Sequence, residues 1–387
     1  MKTYDLAVIG AGLAGLHFAQ SAAEFGCRTL LVDRKDDVGR HVHTSGIFVR
    51  KTIEDFAIGE GCLGPWVRDV VLHSPRRRVV TLQAPAGEFR VGRMARLYRE
   101  KLSNATAGGV AWRNRTHFVT TESDAAGSII TLRNGGREYR IRAHLVVGAD
   151  GASSRVAQAL GLDENREWIV GVEDVFESAA RSVTPVLHCF VDPRLAPGYI
   201  AWVVVDGEEV HVGVGGYANE FDPARALSEF YAVAADTIGG LLGTRIERRA
   251  GRIPVGGILQ RIGAKRGLLV GDAAGAPSPL TAGGLDACYR LSQYAAGVAF
   301  SALNGDQHAI TRSYRGDRFR ARFISRRWMR KAMAAVRNRN IIEAAFAALS
   351  TPSLRGLAWH IFFSRASFPN IAQDASLSDA PRSSLFA

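Results

Sequence analysis

The stretch from Tyr4 to Asp33 constrains this chain more than any other. Leu6, Ala7, Val8 and Ile9 form an unbroken apolar run, the composition of a parallel strand buried on both faces. Gly10-Ala11-Gly12-Leu13-Ala14-Gly15 follows, then a helical stretch to Gly26, a second apolar run from Thr29 to Val32, and Asp33. Each part has a physical task. Gly10 permits a tight turn, Gly12 lets the backbone approach a pyrophosphate, and Gly15 lets the helix pack close to the strand. The helix N-terminus offers unpaired N–H groups to the phosphates. Asp33, eighteen residues after Gly15, ends the second strand, where its carboxylate can accept hydrogen bonds from an adenosine ribose. The stretch predicts a dinucleotide site in a doubly wound α/β sheet and does not choose between NAD and FAD.

At 387 residues the chain is long for one core, and the usual ~100–200 residues per domain predicts two, with interleaving open. Hydrophobic content of 47% and a charged fraction of 22% fit an ordinary globular protein. Met1 leads almost directly into the first strand with no apolar leader, and no apolar run approaches the ~20 residues of a membrane span, so a cytoplasmic location is expected. Cys27, Cys62, Cys189 and Cys288 form no CxxC pair, which predicts neither a metal site nor a disulfide framework. The net charge of +12 is concentrated: residues 311–340 hold eleven basic side chains and one acid, Asp317, leaving only +2 elsewhere.

Along the chain, Arg34 to Thr52 reads as a polar, glycine-punctuated loop, and 53–63 as a helix. Residues 70–73 and 79–82 read as strands, Arg93 to Lys101 as a helix. Strands are expected over 110–121, 128–133 and 137–142, the last two joined by Asn134-Gly135-Gly136, a hairpin signal. Leu145 to Gly148 is a further buried parallel strand, followed by a helix over 153–160. Residues 166–260 change character, with β-rich runs at 168–176, 183–191, 199–205, 209–216 and 248–254, the composition of an antiparallel sheet. Leu268-Leu269-Val270 returns to the parallel type, ahead of a long helix over about 283–303. Helices continue to about 364, and the polar chain from Asp374 is expected to be loose. The division is therefore 1–61, 93–165 and 261–310 for a discontinuous nucleotide domain, 62–92 and 166–260 for a β-rich substrate domain, and 311–387 for a basic helical C-terminus.

Two more acids stand at strand ends, in Gly148-Ala149-Asp150-Gly151 and in Gly271-Asp272-Ala273-Ala274-Gly275, the latter running on through Pro279-Leu280-Thr281-Ala282-Gly283-Gly284. Open α/β sheets bind ligands at that edge. These three segments, in this order, resemble the flavoproteins of the para-hydroxybenzoate hydroxylase and geranylgeranyl reductase superfamily over essentially residues 1–310. The resemblance implies a glutathione reductase-like FAD domain, interleaved with an antiparallel substrate sheet, holding FAD non-covalently. It places Gly10, Gly12, Leu13, Ala14, Gly15, Asp33 and Arg34 at the AMP half and Asp272 on the ribityl chain. Asp150 would hold the nucleotide region and help position a second dinucleotide's phosphates. Arg93 opens a helix where the superfamily usually puts an FAD-contacting side chain. The loop with Pro279, Thr281, Ala282, Gly283 and Gly284, next to Gly271, would bring N–H groups to the flavin N1 and O2 edge. For Asp150 and Asp272 the alternative is helix N-capping.

The departures narrow the branch. Aromatic hydroxylases of the superfamily usually carry His where this chain has Gly275, and Gly-Asp-Ala-Ala-Gly with Pro-Leu-Thr is similar to the geranylgeranyl reductase side. The reductases' Pro-x-x-Tyr-x-Trp-x-Phe-Pro strand survives as Pro197 and Trp202, with Ile200 at the Tyr position and Val204-Val205 for Phe-Pro. Trp202, Ile200 and Val204 are thus the substrate-cavity candidates. Tyr199 is one residue out of register, which on a strand sends it to the opposite face. The Trp-x-Trp-x-Ile-Pro element of flavin-dependent halogenases is missing, so halogenation is not expected. His41 and His43 are the only catalytic candidates: they sit in the loop that the superfamily folds near the isoalloxazine, and either can instead be a solvated loop histidine.

The expected function is FAD-dependent reduction or dehydrogenation of an apolar specialised metabolite or lipid, by hydride transfer at flavin N5. The electron donor would be NAD(P)H, another reductant or an electron-donor protein. The alternative is a class A monooxygenase hydroxylating an aromatic or polyketide substrate through a C4a-hydroperoxide. A third reading, a lipid-partner chaperone of the dissociation-inhibitor type, conflicts with the intact Gly271-Asp272 motif. The apolar residues of the basic segment, Phe319, Phe323, Ile324, Trp328 and Met329, form no clean helical stripe. Residues 311–340 therefore read either as a peripheral membrane contact or as a cationic helix on the core with its arginines snorkelling to water. No nucleic-acid module accompanies them, so nucleic-acid binding is not expected.

Overall fold

The computed structural model describes residues 1–180, 183–349 and 351–363. At its centre is the parallel sheet that the first strand predicts. Strand Thr3–Ile9 lies between Arg137–Gly148 and Thr29–Val32, parallel to both, with Gly267–Leu269 and Ala111–Arg113 extending the sheet on either side. Leu6, Val8, Leu31, Val146 and Val147 are fully buried, as strands covered on both faces must be. Helix Leu13–Glu24 covers the sheet and packs on helices Leu285–Leu303 and Met94–Ala107. Its Leu16 and Phe18 are completely enclosed, each contributing about 1.5–3 kcal/mol of burial.

Two expected segments, 137–142 and 145–148, are one twelve-residue strand. Its exposed first half pairs antiparallel with Gly127–Asn134, and its buried second half lies at the middle of the parallel sheet. The switch from polar to apolar residues marks the change of surroundings, not a break. The expected helix over 53–63 is instead a short helix, Arg50–Asp55, and a single 3-10 turn, Glu60–Cys62.

The second sheet runs in the order Leu242–Pro254, Trp168–Ser178, Glu209–Tyr217, Ala201–Val205, Val186–Phe190, Asp69–His73, Val79–Gln83. It is antiparallel except where Val186–Phe190 runs parallel to Asp69–His73. Its outer face, with Val172, Val203, Val210 and Val212, packs on Phe230 of helix Pro223–Val233. That helix was not expected, although Asp222 caps it through the N–H groups of Ala224 and Arg225 and proline opens it. The inner face is divided. C-terminal helices Arg339–Leu349 and Pro352–Phe363 cover Val70, Leu72, Leu187 and Val204 with Ile342, Phe346 and Phe363. The other half meets the loop at 43–45, where Arg249 and His43 make the contacts. A small third sheet, Ile47–Val49, Phe89–Gly92 and Leu63–Val67, stands beside them. The polar tail expected from Asp374 lies outside the described residues.

On the outer face His73 Nε2 and His188 Nδ1 are 3.0 Å apart, and burial pushes both rings down to about 4. Their unfolded value is about 6.5, so the unfolded chain takes up protons first as pH falls. Stability is full above pH ~6.5 and declines toward pH 4, by about 1.4 kcal/mol per pH unit for each ring. Urea unfolding should therefore lose on the order of 2–4 kcal/mol between pH 6.5 and 5. The His73→Phe/His188→Leu double variant should flatten that slope, and an unchanged slope would place the loss elsewhere.

Candidate functional site

The carboxyl ends of four neighbouring parallel strands meet at one edge. Gly10 turns the chain there with φ +104°, and a Cβ on it would stand 2.3 Å from the Ala149 carbonyl oxygen. A Cβ on Gly15 would stand 1.9 Å from the Gly10 carbonyl oxygen, so neither position admits a side chain. Nothing lies within 4 Å of a Cβ built on Gly12 or Gly151. No side chain caps helix Leu13–Glu24, which leaves its first N–H groups to an anion. Asp33 ties the turn to the second strand: its carboxylate accepts from the N–H of Ala11 at 2.7 Å and of Lys35 at 2.8 Å.

The Asp150 carboxylate accepts from Ser154 Oγ at 2.6 Å and from the N–H groups of Arg155 and Val156, so it holds the start of helix Arg155–Ala159. The capping alternative therefore describes Asp150 in this structure. Asp272 differs. Its half-buried carboxylate has no hydrogen-bond partner among the described residues, and removal from water pushes it up to about 6. A carboxylate left so, at a strand end beside an open glycine turn, fits a ligand that brings hydroxyl donors. Asn165 links the two acidic turns, donating through Nδ2 to the Ala152 and Asp272 carbonyls.

Beyond Asp272 the chain knots into a loop. The Ala282 N–H donates to the Ser278 carbonyl and the Ser278 N–H to that of Gly283, with Ala282 at φ +54°. Thr281 and Gly283 are exposed. The back of the loop is pinned: Tyr199 donates its hydroxyl to the Thr281 carbonyl at 2.7 Å, and Arg330 donates to the Pro279 carbonyl at 3.1 Å.

The inner face of the second sheet carries a buried charged network. The Glu173 carboxylate accepts from Trp202 Nε1 at 2.7 Å, His211 Nδ1 at 3.3 Å and Arg249 Nη1 at 3.5 Å. His211 Nε2 reaches Glu209 at 3.1 Å, and Glu209 also meets Arg93. Burial alone would lower the His211 pKa, but Glu173 and Glu209 override it and push the ring up to about 9. Burial likewise raises Glu173, and His211 and Arg249 outweigh it, holding the carboxyl below its ordinary range. The indole of Trp202 lies on bare backbone: a Cβ on Gly213 would be 2.3 Å from it.

Residues 4–182 match the family described as pyridine nucleotide-disulphide oxidoreductase. A digeranylgeranylglycerophospholipid reductase of Methanococcoides burtonii is 27% identical over 380 residues, covering 92% of this chain and 87% of that protein. The reductase of the same name from Methanocaldococcus jannaschii is 27% identical over 361 residues, 88% and 87% of the two. A geranylgeranyl bacteriochlorophyll reductase-like protein of Thermoplasma acidophilum superposes with a TM-score of 0.79 at 19% identity, over 95% of this chain and 98% of that one. This chain is an FAD-dependent oxidoreductase, similar in sequence to digeranylgeranylglycerophospholipid reductases. The fold itself is shared more widely: a p-nitrophenol 4-monooxygenase of Pseudomonas putida superposes with a TM-score of 0.70 at 17% identity, over 94% and 98% of the two chains.

In this FAD-dependent oxidoreductase Gly10 to Gly15, Asp33, Asp150, Gly271 and Asp272 share one edge. Leu13 and Ala14 are buried behind it, and Arg34 is exposed beyond Asp33. Arg93 is engaged elsewhere: its guanidinium is held by Asp206 at 2.7 Å, Glu208 at 2.6 Å and Glu209 at 3.1 Å. His41 is exposed at φ +50°, and His43 donates from Nδ1 to the Ala250 carbonyl at 2.7 Å, anchoring its loop to the sheet. Of the substrate candidates, Ile200 and Trp202 keep exposed surface, whereas Val204 is buried beneath the C-terminal helices.

Tyr199 corrects the register argument. It faces the same side as Trp202, with its ring against Gly215 and edge-on to the indole, because the strand begins only at Ala201. The turn at Gly198, φ +70°, resets the alternation. The basic segment is mixed in its surroundings. Arg327, Arg337 and Arg339 pair with Glu167, Glu220 and Asp192, and Arg330 is buried, not snorkelling. Phe319 and Phe323 turn inward while Ile324, Trp328 and Met329 are exposed, which is why no single stripe was visible.

Proposed function

We propose that this oxidoreductase reduces carbon–carbon double bonds of an apolar, isoprenoid-like chain. One observation carries the reading. Tyr199, whose hydroxyl pins the Thr281 carbonyl, is also a wall of an apolar cavity of about 220 Å³. Val191, Met333, Val336, Ile342 and Phe346 supply the other walls. A hydrocarbon chain seated there lies one side chain away from the loop assigned to the flavin edge, with Ile200 and Trp202 on the same sheet face. The names of the relatives, reductases of a digeranylgeranyl lipid, agree with that chemistry.

FAD, when bound, supplies two-electron chemistry. The protein's own contributions are separable. The glycine turn and Asp33 take the AMP half, Asp272 accepts from ribityl hydroxyls, and the Pro279–Gly284 loop presents N–H groups to the ring. Trp202, fixed by Glu173, stands edge-on to Tyr199 and backs that wall of the cavity. Gly275 favours this reading over hydroxylation. A Cβ there would lie 2.7 Å from the Gly257 carbonyl oxygen at φ +71°, so the hydroxylases' histidine has no room.

Among the described residues no helix is long and apolar enough to cross a membrane. We propose a peripheral contact through helix Ala321–Ala335, whose exposed Trp328, Ile324 and Met329 stand among basic side chains. The donor would be NAD(P)H or a reduced carrier protein. The reading is tested by reducing the holoenzyme chemically without oxygen and adding a geranylgeranyl glycerolipid. Flavin colour should return at a rate that Trp202→Ala slows at least tenfold. No return with the lipid, together with NADPH-dependent oxygen uptake stimulated by an aromatic substrate, would favour hydroxylation.

A further inference from the structure

We propose that Arg330 is the positive pole of the redox site, a buried guanidinium that stabilises the negative charge a flavin acquires at its N1 and O2 edge on reduction. The proposal rests on the reading of Pro279–Gly284 as the flavin-edge loop.

Arg330 projects from helix Ala321–Ala335 into the body of the protein and is 2% exposed. Every nitrogen has a neutral partner: Nη1 donates to the Pro279 carbonyl at 3.1 Å, Nη2 to the Gly198 carbonyl at 3.0 Å, and Nε to the Tyr217 hydroxyl at 3.2 Å. The guanidinium carbon lies 5.6 Å from the centre of the Tyr199 ring and 5.1 Å from that of Tyr217. No carboxylate pairs with it among the described residues, unlike Arg93, Arg249 and Arg290, which are also largely enclosed. A guanidinium does not shed its proton, so the charge stays. Dipoles and ring faces satisfy it geometrically but leave its positive potential uncancelled. In a low-dielectric setting that potential favours any negative charge arising nearby far more than water would.

The same contacts orient the loop. A trans peptide carries its C=O and the following N–H in opposite directions. With the Pro279 carbonyl drawn to Arg330, the Leu280 N–H points the other way, and the Tyr199 bond to the Thr281 carbonyl holds the next turn. Arg330 thus places the loop and supplies a charge behind it.

The test compares midpoint potentials of the FAD-loaded wild type, Arg330→Met and Arg330→Lys. Arg330→Met should lose about tenfold in its preference for reduced over oxidised FAD, a fall of about 30 mV for a two-electron couple. Arg330→Lys, which keeps the charge, should recover most of it. A wild-type potential in Arg330→Met overturns the proposal. The wild-type holoenzyme gives a second readout that needs no variant. Sulfite adds to a flavin whose N1 and O2 edge can hold negative charge, so bleaching by sulfite is expected, and a flavin inert to sulfite overturns the proposal. A wild type that binds no FAD removes the reading of the loop itself, an outcome distinct from both.

Discussion

Asp272→Ala should yield a protein that folds normally and loses its FAD. The expected loss of affinity is that of hydrogen bonds to a charged acceptor, about 1.5–3 kcal/mol, or roughly 10- to 150-fold in Kd. Apoprotein stability should hold or rise, because the variant removes a carboxylate that has no hydrogen-bond partner among the described residues. That opposition of effects separates a ligand-binding residue from a structural one. In the wild type, FAD affinity should also strengthen as pH rises through about 6, where the carboxyl ionises and becomes the better acceptor. Titration of apoprotein with FAD, beside urea unfolding of both proteins, decides it. Full yellow colour in Asp272→Ala would remove the assignment.

Glu173→Leu should be the most damaging change in the second sheet. It leaves Trp202 Nε1 without its acceptor and strips the buried His211 and Arg249 of a shared counter-charge. Breaking such a buried pair costs about 3–5 kcal/mol. Glu173→Gln, which keeps an acceptor for the indole, should cost less. The pH profile carries the same signature. His211 is raised in the folded state, so its contribution is present in full below pH ~6.5 and disappears as pH rises through about 9. The wild type should therefore lose stability over that interval, and Glu173→Gln, with the ring's main partner neutralised, should lose less. A Glu173→Leu protein within 1 kcal/mol of wild type would mean that the network is solvated.

The nucleotide end was legible in the sequence because its physics is local. Strand, glycine turn and helix are contiguous, so the residues that make the turn also make the site. Asp150 was legible as a strand-end acid but not as a cap, since its partners Ser154, Arg155 and Val156 serve either role until the geometry is seen. The substrate side resisted for a different reason. Glu173, His211 and Arg249 come from three strands and meet only when the ladder sets their register. Tyr199 falls on the opposite face only if alternation is counted through the turn at Gly198, which does not alternate. Arg330 was one of eleven basic side chains in a segment, and a count of charges does not distinguish the buried one. The acids that pair with its neighbours, Glu167, Asp192 and Glu220, lie far away in the chain.

We propose the reduction of an unsaturated chain in an apolar cavity beside the FAD site. Its most direct test is the mass of the product formed when chemically reduced holoenzyme meets a geranylgeranyl glycerolipid in the absence of oxygen. The expected product is a lipid heavier by pairs of hydrogen atoms, with deuterium appearing when the reaction is run in heavy water. A lipid unchanged without oxygen and carrying an added oxygen atom when air is admitted would contradict it.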